Sequence, residues 1–183
     1  MTRRIFVEKK PGFRVEADSL KREFNENLSL DLNELRCINV YDLDGFNDDL
    51  LAKCRYTVFG EKVTDTVSDE FPLEGKRYLA VEFIPGQFDQ RASSAVDCVH
   101  LIDPSADVRI RSARLLVFDD DLPESALAAI RHYYINAVES REKDLPNSDS
   151  PKMPTSSRLP ASTDSPKCPR ADIPLSGRSG AWP

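Results

Sequence analysis

Hydrophobic residues along this chain pass twice from a short strand-like run to a longer run spaced by three and four, and the second passage is the clearer. Leu79 to Ile84 is a short apolar run that reads as a strand. Pro85 has no amide hydrogen and Gly86 tolerates positive φ, so the strand must stop there. Beyond the turn Phe88, Ala92, Ala95, Val96, Val99 and Ile102 recur at helical spacing and should share one face of a helix. Gln87, Gln90, Arg91, Ser94 and Asp97 fall mainly on the rest of its surface.

The first passage begins with a strand from Arg4 to Lys10, with Ile5 and Val7 on one face and Phe6 on the other, ended by Pro11-Gly12. Asp18 or Ser19 can cap a helix running to about Leu28, with Leu20, Phe24 and Leu28 as its stripe. A strand follows at Leu35 to Leu43, with Ile38 and Val40 expected on the core face. Asp44-Gly45 then turns the chain into a helix from Asn47 to Val58 that aligns Leu51, Cys54 and Val58. Gly60 to Gly75 reads as a crossing connection. After the central helix, Asp103 and Pro104 break the chain, Val108 to Phe118 is a long strand, and Pro123 opens a last helix to Tyr134 with Leu127, Ile130 and Tyr134 inward.

The two passages resemble one another. Val7-Glu8 before Pro11-Gly12 matches Val81-Glu82 before Pro85-Gly86 at a shift of 74 positions. Ile38 to Asp42 matches Leu115 to Asp119 at a shift of 77, which sets Leu50 on Leu127. Both matches keep the same order, so the expected architecture is α+β: two β-α-β-α halves, about 3–60 and 76–136, related by internal duplication within a body spanning 1–144. Each half is expected to cover one face of an antiparallel-rich sheet with its helices, outermost, and to leave the other face to pack on its sibling.

Composition changes the picture at one place. The final 38 residues hold 8 of the 13 prolines and 8 serines, and apolar periodicity is lost, so 145–183 reads as a disordered tail. That tail carries five Lys/Arg against three Asp/Glu; the whole chain is at −6, which places −8 on the body and gives no general attraction to nucleic acid or to an anionic membrane. Without an apolar run long enough to span a bilayer or a signal-peptide pattern, a soluble cytoplasmic protein is expected. Cys37, Cys54, Cys98 and Cys168 form no CxxC pair and read as reduced, small hydrophobes.

Little chemistry is spelled out. The chain has no GxSxG, no GxGxxG and no GxxxxGK[ST]. Its carboxylate clusters, Asp42-Leu43-Asp44, Asp48-Asp49 and Asp119-Asp120-Asp121, sit at strand-to-helix junctions, where capping and the helix dipole account for them without a metal. The best candidate for a role beyond structure is the segment Pro85, Gly86, Gln87, Phe88, Asp89, Gln90 and Arg91. Its glycine permits close approach of another surface, the new helix offers free amides, and Arg91 can hold a carboxylate or phosphate.

The run PGQFDQRASSA, followed by Cys98 and Leu101-Ile102, resembles the PGQFDQRADSA stretch of the amino-terminal domain of the large, single-chain phosphoribosylformylglycinamidine synthases. Ile135 to Glu142, INAVESRE, is similar to that family's INPVESRE, with Ala137 in place of proline, and FVEKKPGF near the start also fits. The resemblance covers residues 3 to about 144. It implies a PurS-like pseudodimer, two similar halves standing for a dimer of the separate PurS subunit. It also implies that the synthetase and glutaminase domains of the full enzyme are the partners; Pro85 to Arg91 is then expected to help dock the domain on the synthetase. That enzyme amidates formylglycinamide ribonucleotide with ATP and glutamine in purine biosynthesis; its ATP, magnesium and glutaminase residues lie in later domains, and none of those motifs occurs here. No cofactor and no catalytic residue is therefore expected in this chain, which reads as a truncated or frameshifted portion. Ser93 replaces the family's usual aspartate. The alternative expectation is a free-standing scaffolding or regulatory protein-binding module.

Overall fold

In the computed structural model, residues 2–70, 76–118 and 122–145 are described. Asp119 to Asp121 and the Pro/Ser-rich tail from Pro146, with Cys168, lie outside them. The strands are β1 (Arg3–Lys9), β2 (Leu35–Asp44), β3 (Asp65–Ser68), β4 (Tyr78–Phe83), β5 (Arg109–Phe118) and β6 (Ser140–Glu142). The helices are α1 (Val15–Leu28), α2 (Asp48–Cys54), α3 (Gln90–Ile102) and α4 (Glu124–Tyr134), and a π-helical turn, Arg55–Phe59, extends α2. The six strands form one antiparallel sheet in the order β3-β1-β2-β5-β4-β6.

That order reads the same from either edge once β1, β2 and β3 are exchanged for β4, β5 and β6. The two halves are therefore joined edge to edge through β2 and β5, rather than as two sheets packed face to face. Ten residue pairs, from Leu35 opposite Phe118 to Asp44 opposite Arg109, make that central seam. Each half also has a third strand that the apolar pattern does not reveal. β3 falls in the stretch read as a crossing connection, and β6 is a polar three-residue strand. Edge strands this short carry too few alternations to show a period.

Backbone hydrogen bonds repeat between the halves. Phe13 N–H donates to Lys10 O and Gln87 N–H to Ile84 O, both at 3.0 Å, closing two Pro-Gly turns whose glycines, Gly12 and Gly86, have φ of 91° and 101°. Proline then positive-φ glycine at the two central positions is the type II pattern. Lys10 N–H reaches Thr64 O as Ile84 N–H reaches Glu139 O, and Asp65 N–H bonds Glu61 O as Ser140 N–H bonds Asn136 O. Helix starts match as well: Asp18 N–H to Arg14 O, and Ser93 N–H to Asp89 O.

These pairs stand 74 apart in the first turn and 75 apart thereafter. The strand registers demand the same value: with Val7 set on Val81, β2 falls on β5 at a shift of 75, not 77. Ile38 thus corresponds to Ala113 and Val40 to Leu115. The sequence match at 77 is out by two residues, a slip that preserves which face each side chain occupies and so leaves the apolar pattern intact.

All four helices lie on one face, which carries the odd positions of β1 and β2. Ile5, Val7, Tyr41 and Leu43 pack with Leu50, Leu51 and Cys54 of α2 and with Ala92, Ala95 and Val99 of α3. Leu35, Leu79, Val81, Leu116 and Phe118 pack with Phe24 of α1 and with Leu127 and Ile130 of α4. The helices are thus exchanged: α3 of the second half completes the core over β1 and β2, and α1 of the first half completes the core with α4. Phe24 meets Tyr133 and Tyr134 edge-on, at 6.0 and 6.1 Å between ring centres. Neither half has a whole core of its own.

Ile38 and Val40 are fully buried, but on the sheet face away from the helices, with Phe6, Ala80, Leu115, Val117 and Leu145. Leu145 is 2% exposed, so the folded body reaches at least one residue past the expected boundary at 144. The helix bounds also shift. α1 starts at Val15, ahead of Asp18 and Ser19, with no side-chain cap, and buries Ala17 and Phe24 while Leu20 and Leu28 are partly buried beside them. α2 is capped by Asn47, whose Oδ1 accepts from Leu50 N–H at 2.7 Å, and gives way at Arg55 to the π-helical turn that buries Phe59.

Candidate functional site

The segment Pro85 to Arg91 leads from β4 into α3. Most of its groups are engaged in holding that junction. Gly86 supplies the positive φ of the turn, and Gln87 Nε2 donates to Val138 O at 3.1 Å, tying the turn to the connection before β6. Asp89 has two tasks. Its Oδ1 accepts from Ala92 N–H at 2.9 Å as the N-cap of α3, and from Ser112 Oγ at 2.9 Å, while Oδ2 accepts from Ser112 N–H at 2.8 Å. The helix start is thereby fastened to β5.

Phe88 belongs by spacing with the inner face but is 72% exposed, because Asp89, not Phe88, is drawn down to β5. Ile102, at the other end of α3, is 38% exposed. Of the seven residues, Pro85, Gly86, Gln87, Phe88, Gln90 and Arg91 are exposed. Phe83, at the end of β4, and Val138, whose carbonyl Gln87 holds, are exposed as well, so this end of the molecule presents several apolar side chains to solvent.

Next to this segment a cleft of about 740 Å³ opens between α3 and the α4–β6 connection. Its floor is the polar stretch of the helix-side face, Asn39 of β2 and Ser112 and Arg114 of β5; Arg91 and Ser94 line it from α3, and Glu139 from the connection. Asn39 and Arg114 lie directly opposite one another in the central seam. Arg114 Nη1 pairs with Glu16 Oε1 of α1 at 2.6 Å. Burial raises the Tyr134 phenol above its ordinary value, against the charge and hydrogen bond of Arg114. Burial likewise pushes the Cys37 thiol up to about 12, which keeps it protonated and unreactive at neutral pH.

The sequence drew attention to Arg91 but not to Asn39, Arg114 or Glu139. The available signal was a polar residue in the middle of a strand on the face that the helices cover.

In the described carboxylate clusters Asp42, Asp44 and Asp48 have structural partners. Asp42 is buried between Arg4 (Nε to Oδ1, 2.6 Å) and Lys143 (Nζ to Oδ2, 2.6 Å), and Lys143 also reaches Glu82 Oε2 at 2.9 Å. Burial by itself would raise the Asp42 carboxyl; the hydrogen bond from Arg4 and the charge of Lys143 outweigh it and hold the group below the usual carboxylate range. Glu82 is held low in the same way, by Lys143 and Arg141 against burial. Asp44 accepts from Gly45 N–H, and Asp48 pairs with Arg3. Asp119 to Asp121 lie outside the described residues. Among the described residues no three His, Cys, Asp or Glu side chains gather as metal ligands would, and no helix is long and apolar enough to cross a membrane.

Compared with known proteins, the chain matches no protein-family model and no curated protein sequence.

Proposed function

We propose that this chain is the amino-terminal interaction domain of a phosphoribosylformylglycinamidine synthase, a PurS-like pseudodimer that works in the cytoplasm by docking on the synthetase and glutaminase portions of that enzyme. The observation that carries the reading is the run PGQFDQRASSA, Pro85 to Ala95, and its resemblance to that family's PGQFDQRADSA. The fold is compatible with it: the strand order is the same from both edges, and the turn bonds recur 74 and 75 residues apart. On this reading the halves descend from one β-α-β-α-β unit. Phe88, Gln90 and Arg91, which the junction does not consume, supply the contact to the partner domains, an aromatic anchor beside an arginine being a common make-up for an interface centre. ATP, magnesium and the glutaminase nucleophile belong to those partner domains. No step of the amidation is assigned to residues of this chain.

The test is to purify the chain and mix it with a synthase of this family from which the first domain has been removed. Co-elution and recovered glutamine-dependent amidation are expected, both weakened by Phe88→Ala. Absence of any complex at tens of micromolar would refute the reading.

A second reading, a free-standing scaffolding module, is favoured by one observation. Phe13 and Val63, at the corresponding end of the first half, are exposed as Phe88 and Val138 are, at 47% and 69%. A module with two such ends would bind a partner without restoring amidation.

A further inference from the structure

The near-repeat between the halves exposes one place where they differ in charge. At the shift of 75 shown by the helix starts, Glu16 of α1 corresponds to Arg91 of α3. Asn39 and Arg114, opposite one another across the central seam, correspond by the same shift. The counterpart of the Glu16–Arg114 ion pair is therefore Arg91 with Asn39, a cation and an amide that line one cleft. The first arrangement is closed at 2.6 Å. In the second, Arg91 has no ion pair or side-chain hydrogen bond among the described residues, and the same holds for the side chains of Asn39 and Ser94. All three line the cleft of about 740 Å³.

We infer that this cleft binds a small organic ligand through an oxyanion, a carboxylate or a phosphate monoester, held by Arg91 with Asn39 and Ser94. An arginine presents several donors in a fixed plane that fits either oxyanion, and the amide and the hydroxyl add donors that need no deprotonated partner. Val58, Val81 and Ala95 in the cleft wall give the ligand's carbon body an apolar surface. The volume lies within the roughly 300–1,000 Å³ of small-molecule sites. Glu139 on the far side repels a second negative group, so the ligand presents a hydroxyl, an amine or an uncharged edge there. The inference rests on the cleft and the broken charge symmetry rather than on the docking assignment, although both use Arg91.

The experiment is an amide-resolved NMR titration of the full chain with benzoate and with phenyl phosphate, and with benzamide as a neutral isostere. Saturable shifts at Asn39, Arg91 and Ser94 are expected with the two anions and not with benzamide, and the ratio of the two anion affinities tells carboxylate from phosphate. Arg91→Gln, at an exposed position, should weaken binding by about tenfold or more. Asn39→Asp places a carboxylate opposite Arg91, as Glu16 stands opposite Arg114, and should abolish binding by closing the site internally. Equal binding of benzamide, an unchanged affinity in Arg91→Gln, or no saturable shift with either anion would each overturn the inference.

Discussion

Replacing Lys143 by methionine probes how the second half is fastened to the first. Lys143 follows β6, yet its ammonium lies between Asp42 of β2 and Glu82 of β4, at 2.6 and 2.9 Å, with only 10% of its side chain exposed. Its backbone N–H also donates to Ala80 O at 2.8 Å, which a methionine would keep. Methionine fills much of the same space, so the change removes charge more than packing. Breaking a buried ion pair by deleting one partner costs about 3–5 kcal/mol, because the other charge is left uncompensated. Here Asp42 retains Arg4 and Glu82 retains Arg141. The expected loss is accordingly smaller, about 2–3 kcal/mol at pH 7, or roughly 5–10 °C in Tm for a body of this size.

The pH dependence gives a sharper test. Both carboxyls have folded-state pKa values below their ordinary ones, so the stability they contribute is fully present above the unfolded values, about 3.9 and 4.3, and is lost as pH falls through the folded values. Without Lys143 both folded values move up. The difference between wild type and variant should therefore be largest at neutral pH and shrink steadily below about pH 4. Urea titrations at pH 7, 4 and 3 measure it. A loss under about 0.5 kcal/mol at pH 7 would make this a surface-like pair, and one that stays constant to pH 3 would assign the effect to packing; either would refute the charge-network account.

Three further outcomes are expected. Gly45→Ala should cost far more than Gly86→Ala in thermal melts: both glycines have positive φ, but a Cβ at Gly45 would collide with the Asp107 carbonyl oxygen, whereas Gly86 has nothing within 4 Å and pays only about 1 kcal/mol of backbone strain. Asp89→Ala removes both the α3 cap and the clasp to Ser112, and chemical denaturation should show a loss of about 2–3 kcal/mol, above the ~1 kcal/mol of a simple cap. Site-resolved thiol labelling at pH 7.5 should modify exposed Cys98 rapidly and leave Cys37 and Cys54 until the body unfolds, since burial raises both of their pKa values.

Local chemistry by itself determined the order of the longer elements. Pro11-Gly12, Asp44-Gly45, Pro85-Gly86 and Asp103-Pro104 all end elements in the fold, because a missing amide or a required positive φ acts within a few residues, whatever the rest of the chain does. The near-repeat was legible for the same reason, since the two Pro-Gly turns carry the same residues. Its register was not. A shift of 77 and a shift of 75 put the same side chains on the same faces, and it is the pairing of Val7 with Asn39 in one half and of Val81 with Arg114 in the other that decides between them.

Which face the helices cover was also beyond local reading, because β2 is apolar on both faces and alternation cannot rank one over the other. The exchange of α1 and α3 between the cores, the short edge strands β3 and β6, and the meeting of Arg91, Asn39 and Glu139 at one cleft all depend on residues distant in the chain. Turns and helix starts are fixed by neighbours in sequence. Seam, helix face and cleft follow from contacts between segments that only the closed sheet brings together.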